Sequence, residues 1–348
     1  MTDYRFSFKE GHNGEAIAVI SEGKDEGKVI YLNESNNDLN EIMSDRVEQF
    51  YEFAKNKKLK QSDYDEILDC IEANEPPDDK RLYRIYTDFK NQIKKTSEVI
   101  LHDSRLEVCP MLGYNEKDRK SRETILVNGA NNSGKSYWTG EYLKKWRKLF
   151  PKSPIYLLSN KPLSDEPAFA GIKNIQQITL TKKNLEKIIG EEAKITKKKS
   201  KLDDDSDYSE SEDDETGAGY FPYMHFVSKT GQSMVIFDDF ESDGQIEKMV
   251  RTIINSILRV GRSSRIYCII VSHTLNGGQK TKSIFTEIDA FCLFNKGISP
   301  YHLKYCLKNY TSMNEKQITK VVDSDSRWVF IHKSMPKYVV ESQKLWLY

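Results

Sequence analysis

The sequence predicts an α/β fold built on a large, mostly parallel β-sheet with helices on its faces. From about residue 122 to 295, short apolar runs alternate with helical segments. Runs that are apolar throughout are typical of parallel strands, which are buried on both faces of a sheet. One such run, 124–128, is followed by a turn with glycines at both ends and then by a helical segment. This order of strand, turn and helix predicts the first unit of the sheet.

The residues before this core predict a small α+β appendage, which we place at 1–110. Residues 4–33 alternate β-like runs with glycine-containing turns, as expected for an antiparallel sheet. Three helical stretches follow, near 43–58, 62–73 and 80–97. A polar, charged stretch then separates the appendage from the core at 122–295.

Within the core, the alternation continues to residue 295. We expect strands at 154–159, 234–237, 265–272 and 290–294, and helices at 136–149, 182–189 and 246–260. An insert at about 197–218 is rich in lysine and then in acidic residues, so it lacks the apolar groups needed for packing, and we expect it to be disordered. The remainder, 296–348, predicts a basic module with two helices and a hairpin of 328–332 with 338–341.

Composition limits the classes of function. The 348 residues suggest about two domains, and 53 basic residues balance 53 acidic ones, so any DNA-binding surface must be a local patch. The five cysteines form no C-x-x-C pair, which argues against a disulfide framework or a zinc site. Because the chain has neither an apolar run of 18 residues nor an apolar leader, we expect a soluble, intracellular protein.

The turn after the first core strand matches the pattern G-x-x-x-x-G-K-S, a phosphate-binding loop. In this pattern backbone N–H groups point at phosphate oxygens, Lys135 reaches the β- and γ-phosphates, and the Ser136 hydroxyl ligates Mg²⁺. The next helix adds the positive end of its dipole. The alternative is an ordinary glycine-rich turn. We predict ATP and Mg²⁺ as cofactors, held by Gly129, Asn132, Ser133, Gly134, Lys135, Ser136 and Tyr137.

A second apolar strand, at 234–237, ends in two consecutive aspartates, Asp238 and Asp239, as in a Walker B motif. Ligands of open α/β sheets bind beyond the carboxyl ends of the strands, where the phosphate-binding loop also lies. The sequence predicts that Asp238 helps to hold Mg²⁺ and that Asp239 polarises the attacking water. Many P-loop ATPases have Glu at the second position, so Glu241 remains an alternative for the base.

Three arginines surround a glycine turn after the helix at 246–260, in the sequence Arg259-Val260-Gly261-Arg262-Ser263-Ser264-Arg265. An arginine from a neighbouring subunit often stabilises charge on the γ-phosphate during phosphoryl transfer. Arg262 is our candidate for this contact. The alternative is that these arginines are exposed side chains that complement the helix dipole.

His273 follows the strand at 265–272, beside the pair Asp238 and Asp239 in the predicted sheet. A polar side chain at this position can sense the γ-phosphate. The alternative is a histidine that is simply hydrogen-bonded within the fold.

Together these motifs resemble the FtsK/HerA superfamily of P-loop ATPases, and most closely the DNA-packaging ATPases of large nucleocytoplasmic DNA viruses. The resemblance covers about 122–295 and is carried by 129–136, 235–239, 258–262 and 272–273. It implies a RecA-like sheet, hydrolytic Walker residues, an arginine that acts in trans and a polar sensor. That sensor is often Gln in the family, whereas His273 stands here. The first 100 residues and the acidic insert have no counterpart in the family pattern.

Members of this superfamily work as ring-shaped, ATP-driven pumps of double-stranded DNA. The resemblance therefore implies a homo-oligomeric ring that packages a viral genome, in the viral factory or the virion, with an unknown docking partner. From residue 296 onward, nine basic residues outnumber four acidic ones and are interleaved with aromatic residues, which suits contacts to a phosphate backbone. The alternatives are an ordinary solvated face, an AAA-type remodeller of protein complexes, and a nucleotide-gated scaffold with little turnover.

Overall fold

The computed structural model describes residues 4–11, 14–34, 50–51, 53–73, 75–93, 98–110, 122–199, 221–241, 244–275 and 278–348. The chain forms two compact units, one of 1–109 with 335–348 and one of 110–334. Half of the helix predicted near 43–58 lies outside the described residues, as do residues 200–218 of the insert predicted at about 197–218. Residues 197–199, which the composition predicts to be disordered, form the end of a helix. No helix of the described segments is long and apolar enough to cross a membrane.

The first unit contains the antiparallel sheet expected from residues 4–33. The strands in the N-terminal part of this unit are β1 (Tyr4–Ser7), β2 (Glu15–Glu22), β3 (Val29–Glu34), β4 (Glu98–Ile100) and β5 (Arg105–Val108). Strands β1, β3, β2 and β5 form a four-stranded sheet in that order. Two predicted helices are present as α1 (Gln61–Ala73) and α2 (Lys80–Ile93). They pack through an apolar cluster that includes Phe50, Ile67 and Phe89.

The second unit contains the predicted α/β core. Its strands are β6 (Thr124–Asn128), β7 (Ile155–Ser159), β8 (Ile175–Thr179), β9 (Ser233–Phe237), β10 (Ile266–Ser272), β11 (Ala290–Leu293) and β12 (Val329–His332). Its helices are α3 (Lys135–Leu149), α4 (Lys182–Lys199), α5 (Gly244–Val260), α6 (Gln279–Glu287), α7 (Pro300–Tyr310) and α8 (Glu315–Val322).

The strands of this core run in the order β12, β11, β6, β10, β9, β7 and β8. All neighbouring pairs from β11 to β8 are parallel, and only β12 is antiparallel to its neighbour β11. Strands β6, β9, β10 and β11 are buried at every position, as continuous apolar runs require. The predicted, mostly parallel α/β fold is confirmed.

Helix α5 shows how a helix covers this sheet. Its buried residues recur at spacings of three and four, which places them on one face. They are Val250, Ile253, Ile254, Ile257 and Leu258.

The segment predicted as a C-terminal module, 296–348, is divided between the two units. Both of its helices are present as α7 and α8, and β12 extends the core sheet by pairing with β11. The last strands, β13 (Tyr338–Glu341) and β14 (Lys344–Leu347), belong to the other unit. There β14 pairs with β4, where Lys344 faces Ile100. The pairing of β14 with β4 therefore places the last strands in the first unit, which the basic composition of 296–348 did not indicate.

Parallel pairing brings the three predicted motifs to one edge of the core. In register, Ser272 of β10 lies opposite Asn128 of β6, and Ile270 of β10 lies opposite Phe237 of β9. The residues that follow these strand ends are therefore neighbours. They belong to the phosphate-binding loop, the aspartate pair and the segment of His273.

Candidate nucleotide-binding site

The loop between β6 and α3 has the backbone of a phosphate cradle. Gly129 is closely packed, since a Cβ atom there would lie 2.6 Å from the Cβ of Phe294. Gly134 has a φ of +107°, a left-handed conformation that glycine adopts without strain. No side chain caps α3 at Gly134, and its first turn carries no acidic residue. The amides at the start of α3 are therefore available to an anion.

A cleft of about 570 Å³ opens over this loop. Its lining consists of Asn131, Asn132, Ser133, Gly134, Lys135, Ser136, Tyr137, Lys161, Asp238, Asp239 and His273. The structure thus brings together most of the residues predicted for the site. Three of the predicted residues, Gly129, Glu241 and Arg262, do not line the cleft.

Lys135 is held by the loop itself. Its Nζ atom donates to the carbonyl oxygens of Gly129 and Ala130, both at 2.8 Å, and lies 3.2 Å from Nδ1 of His273. Burial lowers the pKa of Lys135, while the nearby carboxylates of Asp238 and Glu241 oppose this shift. The ammonium group is therefore only partly compensated, and phosphate oxygens are stronger partners for it than peptide carbonyls.

The Nδ1 atom of His273 accepts a hydrogen bond from Lys135. Because a lysine ammonium can only donate, the Nδ1 atom of His273 must be unprotonated in this contact, which places the ring proton on Nε2. Burial and then the charge of Lys135 lower the pKa of His273. The imidazole is therefore neutral at neutral pH, and its Nε2–H is a donor at the edge of the cleft.

Asp238 is the buried carboxylate of the site, with 5% of its surface exposed. Burial, and then Glu166, raise the pKa of Asp238 to about 6, although Lys161 and Lys135 act in the opposite direction. A carboxylate in this position lacks full charge compensation, which a divalent cation would provide.

The donor set of the cleft fits Mg²⁺. Asp238 and the hydroxyl-bearing Ser136 line the same cleft. The described residues contain no cluster of three or more His, Cys, Asp or Glu side chains that could hold a metal by themselves. Mg²⁺ commonly uses one or two protein ligands together with substrate phosphates and water, so these two residues are sufficient.

Asp239 lies beside Asp238 but in a different environment. It has a φ of +54°, and its side chain is 38% exposed. Its Oδ2 atom lies 3.6 Å from Nζ of Lys161, which also lies 3.6 Å from Glu166. Burial alone would lower the pKa of Lys161, but Asp239 and Glu166 together raise it. Lys161 therefore adds a second cation to the lining.

Glu241 occupies a supporting position. Its Oε1 atom accepts a hydrogen bond from Oγ of Ser272 at 2.7 Å, and Oε2 accepts one from the backbone N–H of His273 at 3.1 Å. Arg251 lies 3.9 Å from Oε1. Both carboxylate oxygens are thus engaged in fixing the segment that carries His273. These contacts are those of a group that positions its neighbours.

Arg262 lies at the amino ends of the strands, opposite the carboxyl ends where the cleft opens. It precedes β10, whereas His273 follows this strand, and seven residues of strand span about 23 Å. Arg262 therefore cannot reach the cleft of its own chain, so any contact with a γ-phosphate would have to be made in trans.

An unpredicted residue, Arg122, fixes the turn that carries Arg262. The buried guanidinium of Arg122 donates to the carbonyl oxygens of Ile257 and Leu258, each at 2.5 Å, at the end of α5. The Ile257 carbonyl also accepts the backbone N–H of Gly261 at 2.9 Å, so Arg122 adds a second donor to the last turn of the helix. A Cβ atom at Gly261 would lie 2.8 Å from this guanidinium, so the turn requires glycine.

Sequence reasoning also missed two cations, Lys161, which lines the cleft, and Arg327, which contacts the phosphate-binding loop. Lys161 follows β7, the neighbour of β9, so its place at the carboxyl edge could have been inferred from the strand order. Arg327 precedes β12 and donates from Nε to the Ser133 carbonyl at 2.8 Å. With 194 residues between the two partners, no local pattern indicated this contact.

Comparisons with known proteins give remote similarities. No family model matches the chain. The uncharacterized protein V3 of Sputnik virophage is 28% identical over 222 residues, which are 63% of this chain and 74% of that protein. The genome packaging NTPase B204 of Sulfolobus turreted icosahedral virus 2, solved with sulfate, aligns at a TM-score of 0.36 and 14% identity, covering 63% of this chain and 91% of B204. The pCW3 conjugation coupling protein TcpA, solved with ATPγS, aligns at a TM-score of 0.40 and 15% identity. The alignment covers 94% of this chain and 77% of TcpA.

The chain's own geometry agrees with its motifs. The G-x-x-x-x-G-K-S loop lies between a buried parallel strand and a helix, and the two aspartates follow β9 at the same edge. Strand β10 lies between β6 and β9, so His273 follows the strand that separates the two motifs. The chain therefore has the motif arrangement and the mostly parallel sheet of a P-loop NTPase fold.

Proposed function

We propose that the chain binds Mg²⁺-ATP in this cleft and hydrolyses it, and that hydrolysis drives the movement of double-stranded DNA during packaging of a viral genome. The observation that carries the hydrolytic part is the convergence of Lys135, Asp238, Asp239 and His273 on one cleft. The direct test is steady-state ATP hydrolysis with and without duplex DNA across a series of salt concentrations.

Each residue has a distinct role in this mechanism. Lys135 exchanges the two loop carbonyls for β- and γ-phosphate oxygens. Asp238 and Ser136 would hold Mg²⁺, which when bound neutralises charge on those phosphates. Asp239 accepts the proton of the attacking water as the water oxygen bonds to the γ-phosphorus and the bond to the β–γ bridging oxygen breaks. The proton therefore ends on a carboxylate that is partly open to solvent.

His273 reports on the γ-phosphate in this scheme. Its Nδ1 atom lies 3.2 Å from Nζ of Lys135, and its backbone N–H donates to Glu241. When Lys135 turns to phosphate, His273 loses this partner, and its neutral ring can donate from Nε2. The segment after β10 thus responds to the presence of the γ-phosphate.

The DNA-binding part of the proposal is carried by one face of α7. Tyr301, Lys304, Tyr305 and Lys308 are spaced as one helix face, and all four side chains are exposed. Tyr301 is 72% exposed. Lysines on such a face can contact phosphates, and tyrosines can pack against sugars or donate to phosphates.

A short connection joins this face to the nucleotide cleft. Helix α7 begins three residues after Gly297, and a Cβ atom on Gly297 would lie 2.8 Å from Cβ of Ala130 in the phosphate-binding loop. A shift of the loop on nucleotide binding would therefore displace the segment that leads into α7, because the two are in contact.

Duplex DNA is expected to stimulate hydrolysis, with a stimulation that falls steeply as salt rises, because lysine contacts release counterions from DNA. Replacing Lys304 and Lys308 with Glu should weaken DNA binding and reduce the slope of log affinity against log salt by about two or more. Basal hydrolysis without DNA should change little, since neither side chain lines the cleft. Fluorescence anisotropy with labelled duplex and an ATPase assay measure the two effects.

The control is the double variant Lys173→Glu and Lys229→Glu, which makes the same charge change at two exposed positions away from α7. This control should bind DNA as the wild type does. Robust hydrolysis that is indifferent to duplex DNA at low salt, with oligomers present, would refute the motor and favour a protein remodeller. Tight ATP binding with near-zero turnover would instead favour the scaffold.

Mixing two inactive variants tests whether Arg262 acts in trans. An Arg262→Ala subunit keeps an intact cleft, and a Lys135→Ala subunit keeps its arginine. If Arg262 serves a neighbouring subunit, mixed oligomers should recover part of the ATPase activity, because some clefts then have both groups. Native mass spectrometry establishes that mixed oligomers form. A mixture that forms them and stays inactive would show that Arg262 does not serve a neighbouring cleft and only supports its turn.

A further inference from the structure

Arg327 approaches the phosphate-binding loop from outside the predicted motifs. Its Nε atom donates to the Ser133 carbonyl at 2.8 Å, and its guanidinium atoms lie 3.1 to 3.3 Å from the place of a Cβ on Gly134. The side chain therefore lies over the turn that leads into α3. A larger residue at 134 would displace it.

The segment around Arg327 is rigidly held. Trp328 is buried and packs edge-on against Trp138 of α3, with ring centroids 6.3 Å apart. Ser326 is buried and donates to the Trp328 carbonyl at 2.6 Å. Asn295 donates to the Ser324 carbonyl at 3.1 Å. The exposed Arg327 side chain is thus presented from a backbone that is fixed on both sides.

Arg327 is a cation without a carboxylate partner in the described part of the chain. Its guanidinium lies beside Gly134, at the start of α3, where the helix dipole is positive. Among the described residues, no carboxylate forms an ion pair with Arg327, and its one hydrogen bond uses Nε. The N–H groups of its two Nη atoms are therefore available to donate hydrogen bonds to an anion near the start of α3.

We propose that Arg327 is a phosphate-binding residue that contacts the polyphosphate of the nucleotide through its Nη groups while Nε holds the Ser133 carbonyl. This inference rests on the proposed nucleotide site and adds to it a cation supplied in cis by the segment before β12. It makes the C-terminal part of the core unit a direct participant in nucleotide binding.

Three variants separate charge from the hydrogen bond to the loop. Arg327→Lys keeps the charge, Arg327→Gln keeps a neutral donor of similar reach, and Arg327→Ala removes both. Isothermal titration calorimetry then measures the affinities for Mg²⁺-ATP, inorganic pyrophosphate and adenosine. The Ala and Gln variants should bind ATP and pyrophosphate about tenfold or more weakly, since a hydrogen bond to a charged group has this effect. Lys should retain part of the affinity, and adenosine binding should not change.

The matched control is Arg84→Ala, at an exposed arginine of α2 in the other unit, which should bind all three ligands as the wild type does. A Gln variant that binds pyrophosphate as well as the wild type would overturn the proposal and leave Arg327 as a support for the loop. An equal loss of adenosine and pyrophosphate affinity would also overturn it, since it indicates a contact to the base or a distorted site.

Lys135→Ala, measured in parallel, separates this proposal from the one on which it rests. If Lys135→Ala weakens pyrophosphate binding and Arg327→Ala does not, only the role of Arg327 is wrong. If both variants bind as tightly as the wild type, the nucleotide site itself is wrong. Thermal melting of every variant establishes that the fold is retained.

Discussion

Replacing Lys135 with alanine is expected to abolish ATP hydrolysis, with a loss of at least ~10²-fold in kcat, while the fold persists. The reason is that the ammonium group stabilises both the bound phosphates and the charge that shifts during their transfer. Pure protein, assayed by steady-state phosphate release, provides the measurement.

The same change should have a small effect on stability. Lys135 donates to the carbonyl oxygens of Gly129 and Ala130, and its removal leaves these acceptors to water, at about 1 kcal/mol each. Lys148→Ala, at an exposed position near the end of the same helix, is the matched control and should hydrolyse ATP normally. Wild-type turnover by Lys135→Ala, with contaminating ATPases excluded, would refute the assignment of the site.

The core of the fold could be predicted from the sequence because its central strands are apolar at every position. The edge strand β8 was missed, since Gln176 and Gln177 interrupt its apolar pattern. The split of the C-terminal segment was missed for another reason. Strand β14 pairs with β4, and Lys344 faces Ile100 across more than two hundred residues of sequence. Pairing over such a distance leaves no local signal.

The residues of the site also fall into a predictable and an unpredictable group. Residues of the loop and of the aspartate pair could be predicted because a contiguous motif encodes their geometry. Lys161, Arg327 and Arg122 are single cations without a motif, and only the tertiary structure gives them partners. Glu241 is the reverse case. Its closeness to Asp239 in sequence suggested chemistry, whereas its hydrogen bonds go to Ser272 and His273.

The substitution Asp239→Asn is expected to leave Mg²⁺-ATP binding nearly unchanged and to slow hydrolysis by at least ~10²-fold, because an amide cannot accept the proton of the attacking water. The substitution is also mild for the backbone. Asp239 has a φ of +54°, and Asn is among the residues that adopt this conformation most readily. Equilibrium binding and single-turnover hydrolysis, measured on the same protein, separate the two steps.

Glu241→Gln provides the comparison, because the structure gives this residue a different role. Both of its oxygens accept hydrogen bonds from donors, Oγ of Ser272 and N–H of His273, and an amide can accept at only one of its two ends. We therefore expect a lower melting temperature and a moderate loss of activity for Glu241→Gln, and a nearly unchanged melting temperature for Asp239→Asn, whose side chain is partly exposed. If Glu241→Gln instead binds Mg²⁺-ATP normally, melts normally and alone loses hydrolysis, then Glu241 is the base. The hydrogen bonds to Ser272 and His273 would then have to break when the nucleotide binds.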